Sequence, residues 1–486
     1  MSEETFLIID AGSGGVKSLI VSPKGLIFDR SERSWDRKGW NSDGAWMKIT
    51  SSLSEIIRRK EFEILAICCT GMREEFVLLD DEGEEIKVTL TDESKKYGYQ
   101  ILEEFGEEMY KKSGHWPVPN WMAGAILPWL RKHRPESYNQ ISAILMISDW
   151  VNFKLTGIKA TEGTCACETS LFNMADGGWD QALMESLGLD VSIFPDVKEN
   201  GRILGFVQGT IPDGIRVLTG VPVVTGGADT QCGLMGMGTK RNEVGAVGGT
   251  TTPIQAIVES PVLDPMKRTW TNNHLIAGNW VVESNVGYTG RGVRWARDEF
   301  GCGRGYDELN KLAENSPPGS QGLQSFLGPH LFNSGPPFWD VDKTGDLPVK
   351  PTITDLCDFS LSSLVRSIYE ANSYGVRMNL EQLERVTEKE FDYLKFCGGN
   401  SNSNLWMQIQ ADVLGKEILV PQVNDATAIG AAVLAAKGVG YYKDLGESVD
   451  NMVGSGKSFK PRVETSKTYS KLYEKWVETR WKISRL

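Results

Sequence analysis

Histidine is scarce in this chain, and the four present are too scattered to suggest a zinc site. None of the eight cysteines forms a Cys-x-x-Cys pair. They stand at Cys68, Cys69, Cys165, Cys167, Cys232, Cys302, Cys357 and Cys397, and reduced thiols in a cytoplasmic protein are expected. Basic charge is in deficit too: the formal net charge of −12 argues against a broad nucleic-acid surface, while leaving room for a local phosphate cleft. No apolar run reaches membrane length. Met1-Ser2-Glu3-Glu4 is acidic and enters a strand at once, unlike a signal peptide. What is there is ordinary globular composition, 40% hydrophobic and 24% charged. At 486 residues the chain exceeds one compact core, so two or more domains are expected.

Thr5 to Asp10 is an apolar run ending in an acid, which predicts a buried strand. Ala11 to Gly15 turns, Val16 to Ser22 returns as a second strand, and Leu26 to Phe28 is a third. Asn41-Ser42-Asp43 offers caps for a helix from about Ala45 to Arg59, followed by a strand over Glu63 to Thr70. Three strands, a helix and a strand match the start of a ribonuclease-H-like α/β domain. The Gly12 to Lys17 loop is not a P-loop, because Val16 separates glycine from lysine and a strand follows instead of a helix. Read from its residues, it is a hairpin whose amides can form a nest for phosphate, with Asp10 able to hold a hydrated Mg²⁺. The alternative is a plain glycine-rich hairpin with Lys17 in solvent.

Gly226-Gly227-Ala228-Asp229-Thr230-Gln231 follows the apolar run Val221 to Val224. One carboxylate among glycines at a strand end reads either as a general base beside a tight turn or as an Asx turn closing the strand. Between these motifs, Thr91 to Arg216 is more helical and rich in tryptophan, and suits an insert shaping a substrate pocket. Most of its tryptophans are expected to pack in the core or at a rim. A strand over Glu243 to Gly248 runs into Gly249-Thr250, a long excursion covers Ser316 to Pro351, and a helix spans about Leu361 to Leu383. Tyr393 to Phe396 is a strand leading into Gly398-Gly399-Asn400-Ser401-Asn402-Ser403-Asn404 and a helix to about Leu414, with Ser403 or Asn404 expected as its cap. A strand over Glu417 to Val420 precedes Asn424-Asp425, expected to cap a small-residue helix from Ala426 to Ala436 that can lie close to a partner.

Together these stretches resemble the FGGY carbohydrate kinases of the actin and hexokinase ATPase superfamily. The resemblance covers Phe6 to Lys437, with four motifs in the family's order: Asp10 to Lys17, Gly226 to Gln231, Gly248 to Thr250, and Gly398 to Asn404 with Asp425 to Gly430. It implies two ribonuclease-H-like α/β domains facing a cleft, 1–242 with a sugar-binding insert and 243–486 with the nucleotide site. It implies ATP and Mg²⁺, Asp229 as catalytic base, and Asp10 and Asp229 at the metal. Phosphates would be held by Gly12, Ser13, Gly14, Lys17, Gly249 and Thr250, and adenosine by Gly398, Gly399, Asn400, Asn402 and Asn404. Within the family, Ala66 to Glu74, Met146 to Trp150 and Arg291 to Asp298 look most similar to autoinducer-2 kinases. Arg73-Glu74 also resembles the pair that glycerol kinases use on substrate hydroxyls, and the Gln-Met-His of xylulokinases is absent there. The resemblance thus implies sugar or polyol contacts from Met72, Arg73, Glu74, Thr230 and Gln231, and is compatible with a homodimer. Three positions depart from the family pattern: Ser94 replaces an arginine, Ile126 a basic residue, and Ser13 a threonine. The rival readings are another pentose or polyol kinase such as one for xylulose or glycerol, a non-catalytic sensor on the same fold, and an actin-like ATPase.

Overall fold

The computed structural model describes residues 3–35, 40–60, 62–73, 75–328, 352–354 and 360–483. Glu3–Gly12 forms β1, whose apolar residues Phe6 to Ile9 are fully buried. It pairs antiparallel with β2 (Gly15–Val21), and β2 pairs with β3 (Ile27–Ser34). β3 is longer than its apolar start predicts, because the ladder with β2 carries the charged half Asp29 to Arg33 at the sheet edge. Helix α1 (Ser42–Arg59) starts where the caps predict, with the Asn41 side chain accepting from the Gly44 N–H at 2.9 Å. β4 (Phe62–Gly71) then lies parallel to β1. With β5 (Ile203–Phe206) and β6 (Pro222–Ala228), the sheet order is β5-β6-β4-β1-β2-β3. That order, with β1, β4 and β6 parallel, is the ribonuclease-H-like arrangement the sequence motifs imply.

A second sheet repeats the plan. β7 (Val244–Val247) pairs antiparallel with β8 (Pro253–Val258), and β9 (Trp270–Asn273) and β10 (Trp280–Asn285) follow. β11 (Tyr393–Cys397) and β12 (Glu417–Val420) run parallel to β7, and β13 (Lys457–Phe459) closes the order β9-β10-β8-β7-β11-β12-β13.

The chain divides into two compact units. One comprises Met1–Gly238, Thr271–Trp280 and Asp425–Gly454; the other comprises Thr239–Trp270, Val281–Asn424 and Ser455–Leu486. Two stretches later in the chain thus belong with the first unit. Within that unit the region after Thr91 has its own core. Helices Asp92–Ser113 and Ala123–His133 bury Ile101, Met109, Leu127 and Trp129 together with Leu171 and Leu183. Its tryptophans pack as expected: Trp116 stacks on Tyr110 at 4.7 Å, and Trp150 takes Trp40 and Trp46 against its edges. Two of the departures from the family pattern have structural employment here. Ser94 closes a capping box with Thr91 at the helix start, and Ile126 is buried in the insert core. The excursion from Ser316 is described only as far as Gly328 and again at Thr352–Thr354, where a short strand pairs with Gln324–Phe326. No helix among the described residues is long and apolar enough to cross a membrane. None of the described cysteines is in a disulfide, and all but Cys302 are buried. Burial pushes the thiols of Cys68, Cys165, Cys167 and Cys232 far up, which leaves them unreactive.

Candidate active site

Three adjacent parallel strands present their C-terminal ends at one edge of the first sheet. In register, Ala11 of β1 faces Gly71 of β4, which faces Ala228 of β6. Ligands of open α/β sheets gather outside such strand ends. Asp10 lies one residue before this level, Met72 and Arg73 one and two beyond it, and Asp229 one beyond it.

Asp229 is not in a turn. β6 runs through Gly226 and Gly227, with a bulge between Val224 and Gly227, and passes directly into helix α5 (Asp229–Gly236). The glycine at 226 serves close approach: a Cβ there would sit 2.9 Å from the carbonyl carbon of Cys69 on the neighbouring strand. Side chains pin this strand end. Thr70 Oγ1 donates to the Gly227 carbonyl at 2.8 Å, and Thr164 Oγ1 accepts from the Ala228 N–H at 2.9 Å. The Asp229 carboxylate accepts the Thr230 N–H at 2.7 Å. Thr230 and Gln231 are buried, and the Thr230 hydroxyl donates to Gln231 Oε1 at 2.7 Å.

Helix α5 rests on α9 (Ala426–Gly438), the predicted small-residue helix. Gly236 of α5 and Gly430 of α9 let the backbones touch; a Cβ on Gly430 would lie 2.7 Å from the Cys232 carbonyl carbon. Thr427 Oγ1 also donates to the Asp229 carbonyl at 3.2 Å. The position of Asp229 is therefore set by a strand end below and a close helix beside it.

Asp10 is half-buried on β1, and Gly12 to Gly15 forms the tight link to β2 with Ser13 and Gly14 at its tip. Burial pushes the Asp10 carboxyl up to about 7; the Lys17 ammonium opposes this, while the Asp229 and Asp425 carboxylates add to it. A buried carboxylate whose ionisation a second carboxylate makes costlier suits a hard, oxygen-seeking cation that keeps most of its water, as Mg²⁺ does. The donor set thus fits the metal the motifs imply. Lys17 donates to Asp425 Oδ1 at 2.8 Å. Asp425 stands in the cap position of α9 as predicted, but its side chain makes no cap bond.

Arg73 is nearly buried, and its Nη1 lies 3.3 Å from Oε1 of the fully buried Glu168. Asn272 Nδ2 donates to the same Glu168 oxygen at 2.8 Å, and His115 Nε2 stands 3.4 Å from the other. Met72 packs in the hydrophobic core, its N–H donating to the Ala11 carbonyl at 2.9 Å. Glu74 lies outside the described residues. Sequence reasoning missed Glu168, His115 and Asn272, and no local signal marks them: Glu168 is 95 residues from Arg73 and Asn272 a further 104 on.

In the second unit the equivalent strand ends meet in the same way. Val247 of β7 faces Cys397 of β11, bringing Gly249 and Thr250 beside Gly398 to Asn400. The Asn400 N–H donates to the Gly248 carbonyl at 3.2 Å, and Asn400 Nδ2 to the Gly249 carbonyl at 3.3 Å. Gly249 and Gly399 are exposed and Thr250 half-buried. Asn402 and Asn404 are exposed beside helix α8 (Asn404–Leu414), which Ser403 caps as predicted. Asn402 Oδ1 accepts from Asn424, and Asn404 Oδ1 from Lys457 at 3.0 Å.

Known proteins share this plan. Residues 5–236 match the N-terminal domain, and residues 244–439 the C-terminal domain, of the FGGY family of carbohydrate kinases. A protein named autoinducer-2 kinase from Salmonella choleraesuis (strain SC-B67) is 29% identical, over 97% of this chain and 93% of its own length. In fold, the chain resembles a ligand-bound xylulose kinase from Lactobacillus acidophilus, with TM-score 0.84, 18% identity and 98% of each chain covered. It also resembles Plasmodium falciparum glycerol kinase with ADP, with TM-score 0.82, 19% identity, and 99% of this chain and 98% of that one covered. With residues 5–236 and 244–439 matching its two domains, the chain belongs to the FGGY family of carbohydrate kinases and is an ATP-dependent sugar kinase.

Proposed function

We propose that the enzyme transfers the terminal phosphoryl group of ATP to a hydroxyl of a small sugar or polyol, with Asp229 accepting that hydroxyl's proton. The observation that carries this reading is the common strand-end level of Asp10, Arg73 and Asp229 on β1, β4 and β6. One carboxylate is there for a metal, one cationic fork for substrate oxygens, and one carboxylate on a rigid helix start for the proton. Phosphoryl transfer asks a protein mainly for positioning and charge stabilisation, which such a set supplies.

In this reading Asp10 and Asp229 hold Mg²⁺, which when bound neutralises phosphate charge. Gly12, Ser13, Gly14 and Lys17 take phosphate oxygens in the first unit; Gly249 and Thr250 do so in the second. Gly398, Gly399, Asn400, Asn402 and Asn404 form the adenosine side. Arg73 and Glu74 bind substrate hydroxyls, Met72 and Thr230 line the site, and Gln231 acts through the Thr230 hydroxyl it accepts from. The kinship with a protein named autoinducer-2 kinase favours a small hydroxylated carbonyl compound of that kind over xylulose or glycerol.

Assaying ADP production across polyols, ketoses and dihydroxypentanedione tests the substrate class. With the best substrate, Asp229→Asn is expected to lower turnover by about 10²–10⁴ while the melting temperature holds. Near-normal turnover in that variant would overturn the assignment of the base, and no sugar-dependent ADP release by the unaltered enzyme would favour a sensor.

A further inference from the structure

An aspartate in the cap position of a helix ordinarily turns its carboxylate onto the backbone N–H two or three residues ahead. Asp425 does not. Its Oδ1 accepts from Lys17 Nζ at 2.8 Å and its Oδ2 from Arg30 Nη1 at 3.5 Å, so both oxygens point at the first sheet. The helix forgoes a local bond, and a carboxylate only 20% exposed is spent on two cations, Lys17 of β2 and Arg30 of β3.

Topology offers Lys17 another partner. In the β1–β2 ladder Lys17 lies directly opposite Asp10. Side chains in that relation leave the sheet on the same face, and opposite charges there attract. The ion pair that Lys17 makes is nonetheless with Asp425. We propose that Asp425 is a positioning residue of the phosphoryl-transfer site: it draws the Lys17 ammonium off Asp10, so that Asp10 stays open to a divalent cation and Lys17 keeps its remaining N–H donors for phosphate. The inference rests on the reading of Asp10 and Lys17 given above. It assigns Asp425 no contact with substrate; its effect runs wholly through Lys17.

The test is direct metal binding, with Mn²⁺ as the probe and free Mn²⁺ read by electron paramagnetic resonance as it is titrated into the enzyme without nucleotide. Asp425→Asn is expected to weaken Mn²⁺ binding about tenfold, as Lys17 closes on Asp10. Asp425→Ser, which can cap α9 but carries no charge, should do the same, and Asp425→Glu should bind as the unaltered enzyme does. In a Lys17→Met background the effect of Asp425→Asn should vanish to within about twofold, because no ammonium remains to be held off. The proposal is overturned if Asp425→Asn and Asp425→Ser bind Mn²⁺ normally, or if the weakening persists undiminished with Lys17→Met. Asp10→Asn separates the underlying reading: Mn²⁺ binding unchanged in that variant, or absent from the unaltered enzyme, refutes the Asp10 metal role and the inference with it.

Discussion

The contact between α5 and α9 sets two physical effects against each other at Gly430. Gly430 lies inside a helix, where alanine is intrinsically better by about 1 kcal/mol, so propensity alone predicts that Gly430→Ala stabilises. Packing predicts the reverse. The new Cβ would lie 2.7 Å from the Cys232 carbonyl carbon and closer still to its oxygen, whereas ordinary contact begins at 3.4 Å. The helices must part by at least about 0.7 Å, against backbone that cannot rotate away. Overpacking of this kind costs roughly 1–3 kcal/mol. Because the clash is with backbone alone, the cost belongs at the upper end of that range, and packing wins with a net loss of about 2 kcal/mol and a melting temperature lower by roughly 4–8 °C. Function should suffer more than stability, because Cys232 is in the first turn of the helix that begins at Asp229. A displacement approaching 1 Å at a reacting group can cost about 10²-fold, so kcat is expected to fall about ten- to a hundredfold with a smaller change in KM. Thermal melts and an ADP-release assay measure both. Gly446→Ala is the control: it is exposed in helix Leu445–Met452, where the near atom is the capping Asp444 Oδ1 at 3.2 Å and no backbone stands close, so it should leave turnover unchanged and the melting temperature unchanged or higher. A melting temperature for Gly430→Ala at or above that of the unaltered enzyme would refute the close-packing argument.

Other residues give sharp expectations. Arg73→Ala removes a cation from beside the fully buried Glu168, so it should raise the sugar KM and also destabilise the fold by about 3–5 kcal/mol. Adding Glu168→Gln should restore much of the stability but not the sugar KM; an altered ATP KM alone would count against the substrate role. His274 is buried, its Nδ1 accepting the Ile276 N–H at 3.1 Å, and burial pushes its pKa from 6.5 down to about 4. The folded form refuses a proton that the unfolded chain accepts, so this contribution is complete above pH 6.5 and is lost as pH falls toward about 4. At pH 5 the loss is about 2 kcal/mol, and His274→Gln should remove it. Urea midpoints at pH 7 and pH 5 for both proteins check this, and an equal pH slope in the two would refute it.

The sequence by itself determined the local elements and the motifs. Strand Glu417–Val420, the α1 start at Asn41 and the Ser403 cap of α8 fall where alternation and cap chemistry put them, because those signals act within a few residues. Motif order was also enough to indicate two similar domains and a kinase. Tertiary structure decided what those residues face. The glycines before Asp229 were legible as a turn, yet Gly226 is glycine because Cys69 of the next strand leaves no space for a Cβ, a fact absent from its neighbours in sequence. Asp425 was legible as a cap, yet a lysine 408 residues away takes its carboxylate. Glu168 carried no motif at all and lies against Arg73. Helix and strand follow from nearest neighbours along the chain, whereas strand register and close helix packing bring together groups hundreds of residues apart, and in this kinase those contacts fix the charges at the strand ends.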